Sequence, residues 1–125
     1  MISYCFRSIK GYSEFGSYIG NGNADGTFVY TGFKPVFILA KRTDSTSGWG
    51  MYDNKREPYN LNDTRLLANT SGADDTSTDN GIDFLSNGFK WRTASGWNAS
   101  GGTYIYMAFA QNPLVGTNNV PATAR

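Results

Sequence analysis

The sequence predicts an all-β fold, an antiparallel β-sandwich that is jelly-roll-like and has about eight or nine short strands. Runs of aromatic and β-branched residues alternate with polar residues, and turn formers interrupt them every 6 to 12 residues or so. Fifteen glycines among 125 residues leave few segments long enough for an amphipathic helix. This length favours one domain with one core, which we place at residues 1–115, with an extended C-terminal tail at 116–125.

The segment Gly101–Ala110 is predicted to be a central strand. Ile105 and Met107 alternate with aromatic or small residues, so both faces are apolar and both need cover. Pro113 ends the strand because proline cannot donate to a sheet ladder.

The segment Ile2–Ile9 is also predicted to be a strand, and Cys5 within it is expected to be a small buried hydrophobe. Residues 2–7 resemble residues 105–110 in sequence, 103 positions later. Either the match is a coincidence between two apolar strands, or the parent protein carries this unit in tandem.

The other predicted strands are shorter and are separated by turns. In chain order they are Phe15–Ile19, Thr27–Thr31, Val36–Arg42, Trp49–Asp53, Ile82–Leu85 and Phe89–Thr93. The most apolar of them, Val36–Arg42, is expected to be covered on both faces and to form a hairpin with Trp49–Asp53. Asn87-Gly88 predicts a second hairpin.

Three regions are predicted to be irregular. Residues 54–70 lose periodicity, although Asn62-Asp63-Thr64 could cap a short turn of helix before Leu66. Residues 71–81 form the most polar stretch, and residues 94–102 form a further loop that holds Trp97.

Composition argues against several kinds of function. The net charge is +1 without a basic stripe, which argues against nucleic-acid binding. The apolar run Val36–Ala40 is too short to span a bilayer, so we expect no membrane insertion. Histidine is absent and there is one cysteine, so a Ser-His-Asp site and a zinc cluster are impossible. We expect no catalytic residues, no cofactor and no metal, and therefore not an enzyme.

The carboxylates leave alternatives open. Asn21, Asn23 and Asp25 could bind a cation from the Gly20–Gly26 loop, and Asp75-x-Ser77-x-Asp79 has part of the spacing of a calcium loop. A glycosidase needs two carboxylates: Asp53 and Glu57 lie near strand ends, and Asp74, Asp75, Asp79 and Asp83 cluster in sequence. The interpretation we prefer is that these side chains solvate loops.

The aromatic residues support a better hypothesis, because sugar rings stack on flat aromatic side chains while amides and carboxylates bind the hydroxyl groups. The candidate glycan-contacting residues are Trp97, Asn98, Tyr59, Trp49 and Asp53. Trp97, between Gly96 and Asn98, is the tryptophan least expected in the core. The alternative for Trp49 and Trp91 is that they fill the sandwich interior.

Five motifs follow one another along the chain. They are Gly11-Tyr12-Ser13-x-Phe15-Gly16-Ser17-Tyr18, Tyr30-Thr31-Gly32-Phe33-x-Pro35, Asp53-x-Lys55-Arg56-x-Pro58, Ile82-Asp83-Phe84-Leu85-Ser86-Asn87-Gly88 and Thr103-Tyr104-Ile105-Tyr106-Met107-Ala108-Phe109-Ala110. In this order and with these gaps, the sequence resembles an uncharacterised domain of bacteriophage tail fibre and tail-tip proteins. The resemblance covers nearly the whole chain. Its usual opening is Ala-Tyr-Cys-Phe, where this chain has Ser3-Tyr4-Cys5-Phe6.

The resemblance implies a virion structural or adhesion role, assembly with other virion subunits as a homotrimer, and location in the virion. It carries over no catalytic residues. We therefore expect a tail fibre domain that contributes recognition of a host-surface glycan. The alternatives are a capsid-decorating or fibre-assembly domain without its own ligand, and a glycan-cleaving enzyme of the tailspike type.

Overall fold

The structure is a computed structural model and describes residues 1–111 and 117–118. Within this part of the chain it has nine strands and two 3₁₀ turns, Thr78–Asn80 and Gly96–Asn98. The strands are β1 (Ser13–Ile19), β2 (Phe28–Tyr30), β3 (Pro35–Arg42), β4 (Trp49–Asp53), β5 (Thr64–Leu67), β6 (Asp75–Thr76), β7 (Ile82–Leu85), β8 (Gly88–Trp91) and β9 (Thr103–Ala110). The predicted C-terminal tail lies almost wholly outside the described residues.

The strands form two antiparallel sheets, which confirms the predicted all-β sandwich. The larger sheet has six strands in the order β1-β9-β3-β4-β5-β6, and the smaller has three in the order β2-β8-β7. Strand β9 lies between β1 and β3, so it is the central strand that the sequence predicts.

Both predicted hairpins are confirmed. In the first, Ile38 of β3 lies opposite Tyr52 of β4. In the second, Leu85 lies opposite Gly88, so Ser86 and Asn87 form the turn, one residue earlier than expected. Gly88 is needed in the strand, because a Cβ there would lie 2.1 Å from the carbonyl oxygen of Val29 on β2.

Aromatic side chains from both sheets fill the core. The buried apolar residues are Tyr18, Val29, Phe33, Ile38, Ala40, Tyr52, Ile82, Phe84, Phe89, Trp91, Trp97, Tyr104, Tyr106, Ala108 and Ala110. Tyr52 contacts Trp91 across the two sheets with ring centroids 5.4 Å apart, and Phe89 contacts Tyr106 at 5.3 Å. Burial of these rings and their edge-to-face contacts each contribute to the free energy of folding, so these pairs hold the two sheets together.

The predicted strand Ile2–Ile9 is wrong. Residues 1–8 form no strand and are exposed, and Ile9 alone makes a bridge, to Ser13. Cys5 is likewise exposed rather than buried. The alternation that predicts the strand is present, but the ladder stops because the Phe15 amide takes the Ser8 hydroxyl, at 3.1 Å, as its acceptor. We call residues 1–8 the N-terminal arm.

The irregular region contains structure that the sequence did not indicate. Thr64–Leu67 is strand β5, paired with β4, so the expected helical turn before Leu66 is wrong. The polar stretch 71–81 contributes the two-residue strand β6 and a 3₁₀ turn. Cross-strand pairing overrides weak local patterns in this region.

The outer face of the large sheet was expected to be covered, but no described residue forms a layer over it. Its half-exposed and exposed apolar side chains, which define the outer face below, are Phe15, Ile19, Phe37, Leu39, Trp49, Met51, Ile105, Met107 and Phe109. Trp49 lies here, so the alternative that it fills the interior is wrong, whereas Trp91 is fully buried, as that alternative predicts.

Replacing Gly50 by alanine is expected to destabilise the fold by about 1–3 kcal/mol, because the new Cβ would overpack the core. It would lie 2.6 Å from Cζ2 of the buried Trp97. Urea unfolding of wild type and variant measures the difference in free energy. Gly72→Ala is the matched control, since its Cβ would meet nothing closer than the Thr70 hydroxyl at 3.6 Å. Equal loss in both variants would contradict this account of the core.

High pH is expected to unfold the protein. Burial raises the pKa of Tyr18 and Tyr52 well above 10.0, and it raises the pKa of Tyr104 and Tyr106 as well. The unfolded chain then ionises first, so stability is intact below pH 10.0 and falls as pH rises from there toward the folded-state values.

Each such tyrosine contributes a slope of about 1.4 kcal/mol per pH unit. Urea unfolding at about pH 8 and about pH 11 measures the loss. Tyr52→Phe should make the loss shallower, because the buried Tyr52 hydroxyl has no hydrogen-bond partner in the described chain and only its ionisation is removed. A stability that is flat over this range would contradict the prediction.

Candidate functional site

A polar groove lies between the loop after β4, the end of β7 and the residue before β3. Its volume is about 220 Å³, and we call it the loop groove. The lining residues are Lys34, Asn54, Pro58, Tyr59, Asn60, Asn62 and Phe84.

Two carboxylates, those of Asp53 and Glu57, fix the backbone of the loop after β4. The Asp53 Oδ1 accepts from the amides of Lys55 and Arg56 at 2.8 and 3.0 Å, and the Arg56 guanidinium pairs with Oδ2 at 3.0 Å. Partial burial would raise the pKa of Asp53, but these hydrogen bonds outweigh burial and hold the pKa below its usual value. The Glu57 Oε2 accepts from the amides of Asp63 and Thr64 at 2.7 and 2.9 Å.

Two asparagines attach this loop to β7. The Asn60 side chain both donates to and accepts from the backbone of Phe84, each at 2.9 Å, and so imitates a strand partner. The Asn62 backbone exchanges two hydrogen bonds with Ile82, at 2.9 and 2.8 Å. The loop is therefore held to the sandwich on the side that faces the groove.

Two residues that line the groove each have a buried acceptor without a donor in the described chain. Asn62 is 2% exposed, and its Nδ2 donates to the carbonyls of Glu57 and Tyr59 at 3.0 and 2.8 Å. Those bonds fix the amide orientation, so Oδ1 is the atom left buried without a partner in the described chain. Asn54 Oδ1 is unpaired in the same way. An unsatisfied buried acceptor costs about 1–3 kcal/mol, which a hydroxyl donor would recover.

The other groups at the groove suit a neutral polyhydroxy ligand. Tyr59 is 83% exposed and presents its ring to solvent. Lys34 adds an ammonium donor, and the lining holds no carboxylate that could act as a general acid or base. The arrangement can accept hydroxyl protons, donate one charged hydrogen bond and stack an aromatic ring.

The structure does not bring the five candidate glycan-contacting residues together. Tyr59 lies at the loop groove, and Asp53 lies in the turn that supports it. Trp49 lies on the outer face, and Trp97 and Asn98 are buried.

Trp97 is a core residue, which corrects the expectation that it is the tryptophan least suited to the interior. It is 3% exposed and stacks on Trp91 with centroids 6.0 Å apart. Arg65 lies over the Trp97 ring at 5.6 Å. The Gly96 and Asn98 neighbours form the 3₁₀ turn that drives the ring inward.

Asn98 is fully buried and is a structural residue. Its Nδ2 lies 2.7 Å from Asn21 Oδ1, 2.9 Å from the Asn23 carbonyl and 2.8 Å from the Thr93 carbonyl. Its Oδ1 accepts from the amides of Asn21 and Thr27 at 3.1 and 3.4 Å. The amide thus fastens the Gly20–Gly26 loop to the core and has nothing left for a ligand.

The acidic side chains that suggested calcium binding are engaged within the protein. Asp25 pairs with Lys90 at 2.6 Å and with Arg92 at 3.2 Å. Asp75 pairs with Arg65 at 3.0 Å, and Asp79 accepts from the Ser95 hydroxyl at 2.9 Å. Among the described residues, no group of three His, Cys, Asp or Glu side chains is placed to hold a metal ion.

Sequence reasoning missed Lys34, Asn54 and Asn62. Their residue types are common in loops, and Asn62 was noted only as a helix cap. The available signal was the cluster of asparagines around Tyr59 in a charged, aperiodic segment, which marks a loop capable of function.

Asn98→Asp is expected to destabilise the fold by about 3 kcal/mol or more. The change replaces a buried donor by a carboxylate oxygen that faces three acceptor oxygens. Thermal and urea unfolding measure the loss. Asn87→Asp is the control, because Asn87 is exposed, its side chain makes no hydrogen bond among the described residues, and solvent can hydrate the new charge. A variant at Asn98 with wild-type stability would contradict the structural role.

Comparison with known proteins identifies a family but no function. No curated protein and no solved structure matches the chain. In the part of the chain that the structure describes, no helix is long and apolar enough to cross a membrane. The model of a family described as "Domain of unknown function (DUF7483)" matches residues 1–113, which is most of the chain. The chain therefore belongs to this DUF7483 family.

Proposed function

We propose that the protein is a module of a bacteriophage virion, most simply a tail fibre domain, that recognises a host-surface glycan without cleaving it. The sequence resemblance to tail fibre domains supports location in the virion. It also supports a homotrimer that contacts other virion subunits. The loop groove supports sugar binding.

The unpaired Asn62 Oδ1 is the observation that carries the proposal. Its own Nδ2 is fixed by two carbonyls, so the amide cannot rotate to satisfy the oxygen. The oxygen has almost no solvent-exposed surface, so a ligand reaches it only where the groove opens around it. A sugar hydroxyl would donate to it, and Asn54 Oδ1 would take a second hydroxyl.

Tyr59 and Lys34 would complete the recognition. The exposed Tyr59 ring offers a flat surface to the C–H face of a sugar, as the sequence suggested. The Lys34 ammonium would donate to ring hydroxyls or to an acidic sugar substituent. At about 220 Å³ the groove is smaller than the roughly 300–1,000 Å³ of drug-sized sites, so it fits one sugar residue of a longer chain.

Cleavage of the glycan is not favoured by this arrangement. No carboxylate lines the groove. Asp53 is bound into its turn by Arg56, and Asp83 lies 3.4 Å from the Arg92 guanidinium. Glycoside hydrolysis needs two carboxylates that flank one bond.

A purely structural role in fibre assembly or capsid decoration is the second candidate. The outer face favours it, because contiguous apolar patches beyond a few hundred Å² mark interaction surfaces. The two roles are compatible, since the loop groove and the outer face share none of their residues.

Tyr59→Ala is expected to weaken glycan binding about tenfold, because it removes a ring contact of about 1–1.5 kcal/mol. Titration of oligosaccharides from host capsule or lipopolysaccharide, followed by NMR or calorimetry, measures the affinity. Tyr30→Ala is the matched control: Tyr30 is 67% exposed on β2 and lies outside the groove, so its loss should leave binding unchanged.

Two outcomes would overturn the proposal. Absence of wild-type binding at concentrations of about 1 mM or above would remove sugar recognition. Shortened polysaccharide chains after incubation with the protein would replace a binding module with an enzyme.

A further inference from the structure

The outer face of the large sheet is apolar across four neighbouring strands. Register places Phe15 of β1 opposite Met107 of β9, Met107 opposite Leu39 of β3, and Leu39 opposite Met51 of β4. These four side chains form a continuous apolar row. A soluble antiparallel sheet usually has polar residues on an uncovered face, so a face of this kind indicates a partner.

A depression in this face gives a partner a place to dock. It has a volume of about 250 Å³ and an almost wholly apolar lining. Phe15, Leu39, Trp49, Ile105 and Met107 supply most of that lining. Apolar pockets of this kind suit a branched or aromatic side chain that inserts from a neighbour.

The N-terminal arm has the complementary pattern. Ile2, Tyr4 and Phe6 are 83%, 81% and 59% exposed. In an extended segment they point to one side, while Ser3, Cys5 and Arg7 point to the other. The arm is thus apolar on one side and polar on the other, as a strand is that covers an apolar surface.

The arm begins beside the outer face. Phe6 stacks on Phe15 with ring centroids 5.5 Å apart. Ser13 Oγ donates to the Arg7 carbonyl at 3.1 Å, which fixes the base of the arm next to β1. The arm and the outer face are therefore one continuous apolar surface.

This surface is too large for the arm to bury alone. Tyr4 and Phe6 leave on the order of 250–300 Å² exposed, taking about 200 Å² for each full side chain. The arm folded back would cover one row of the outer face and leave the rows on the neighbouring strands open. A specific interface needs about 800 Å² from each partner, so these two side chains alone are well short of one and the outer face has to contribute.

We propose that the arm and the outer face form a self-association surface, and that a second copy of this chain packs on it with its own arm laid across the face. Each copy then gives its arm to one neighbour and its outer face to another, and such a head-to-tail contact can close into the ring that a homotrimer requires. Ile2 and Tyr4 of one copy fill the depression of the other, while Phe6 stays stacked on Phe15 of its own chain. This inference deepens the assembly part of the proposed function and is independent of sugar binding.

Sedimentation velocity of the full chain over a range of concentrations tests the association. Wild type should sediment as an oligomer, and Ile105→Lys should weaken association about tenfold or more, because it places a charge in the depression. Phe28→Lys is the matched control: Phe28 is 44% exposed and Ile105 40%, but Phe28 belongs to the small sheet, so this change should leave association intact.

Cysteine cross-linking tests where the arm lies. Ile2 is on the side of the arm that faces the partner, so a tagged chain carrying Cys5→Ser and Ile2→Cys can be mixed under mild oxidation with an untagged chain carrying Cys5→Ser and Ile105→Cys. A mixed disulfide dimer should form, and the same mixture with Phe28→Cys in place of Ile105→Cys should give much less.

Three results would overturn the inference. The first is a wild-type chain that remains monomeric at all concentrations. The second is an oligomer that Ile105→Lys and Phe28→Lys affect equally, which would leave assembly intact but move it to another surface. The third is a disulfide within a single monomeric chain that carries Cys5→Ser, Ile2→Cys and Ile105→Cys, which would show the arm folded onto its own face.

Discussion

The alternation of side chains along β9 is the constraint on which the rest of the structure depends. Tyr104, Tyr106 and Ala108 face inward, where they pack under the small sheet, and Ile105 and Met107 face outward. A shift of one residue in register would exchange the two sets, so the interior aromatic cluster and the outer apolar face are fixed by the same pairing. Strands β1 and β3 pair with β9 on either side and carry this division across the sheet.

The interior accommodates large rings because small residues face them. Ala40, Gly50 and Ala108 lie on the inner side of the large sheet and leave room for Trp91 and Trp97. This explains what sequence reasoning could predict. Period-two alternation and an Asn-Gly turn are local signals, so β3, β4, β7, β8 and β9 were predicted correctly. The burial of Trp97 was missed because it depends on Gly50, which is 47 residues away in sequence.

Two further failures have the same cause. The arm has the alternation of a strand, but a strand also needs a partner, and Ser8 already occupies the Phe15 amide with its side chain. Asn98 and Asn62 look alike in sequence, yet every polar atom of the Asn98 amide is bonded, whereas the Asn62 oxygen is not. Hydrogen bonding in the folded chain distinguishes an asparagine whose polar atoms are all bonded from one that keeps an unpaired oxygen, and composition does not contain that information.

The two proposed surfaces support one another physically. A groove that holds one sugar residue through two amide oxygens, an ammonium and one aromatic ring favours weak binding by a single copy. Self-association through the outer face would hold several grooves together. Once one groove has bound, the second groove of the same oligomer meets the glycan at a high effective concentration. Avidity then rises by orders of magnitude without a new contact to the glycan. A rigid sandwich suits this arrangement, because its loops are tied to β7 and to the core. The proposed glycan-contacting groups are therefore kept at fixed positions relative to a surface of repeated glycans.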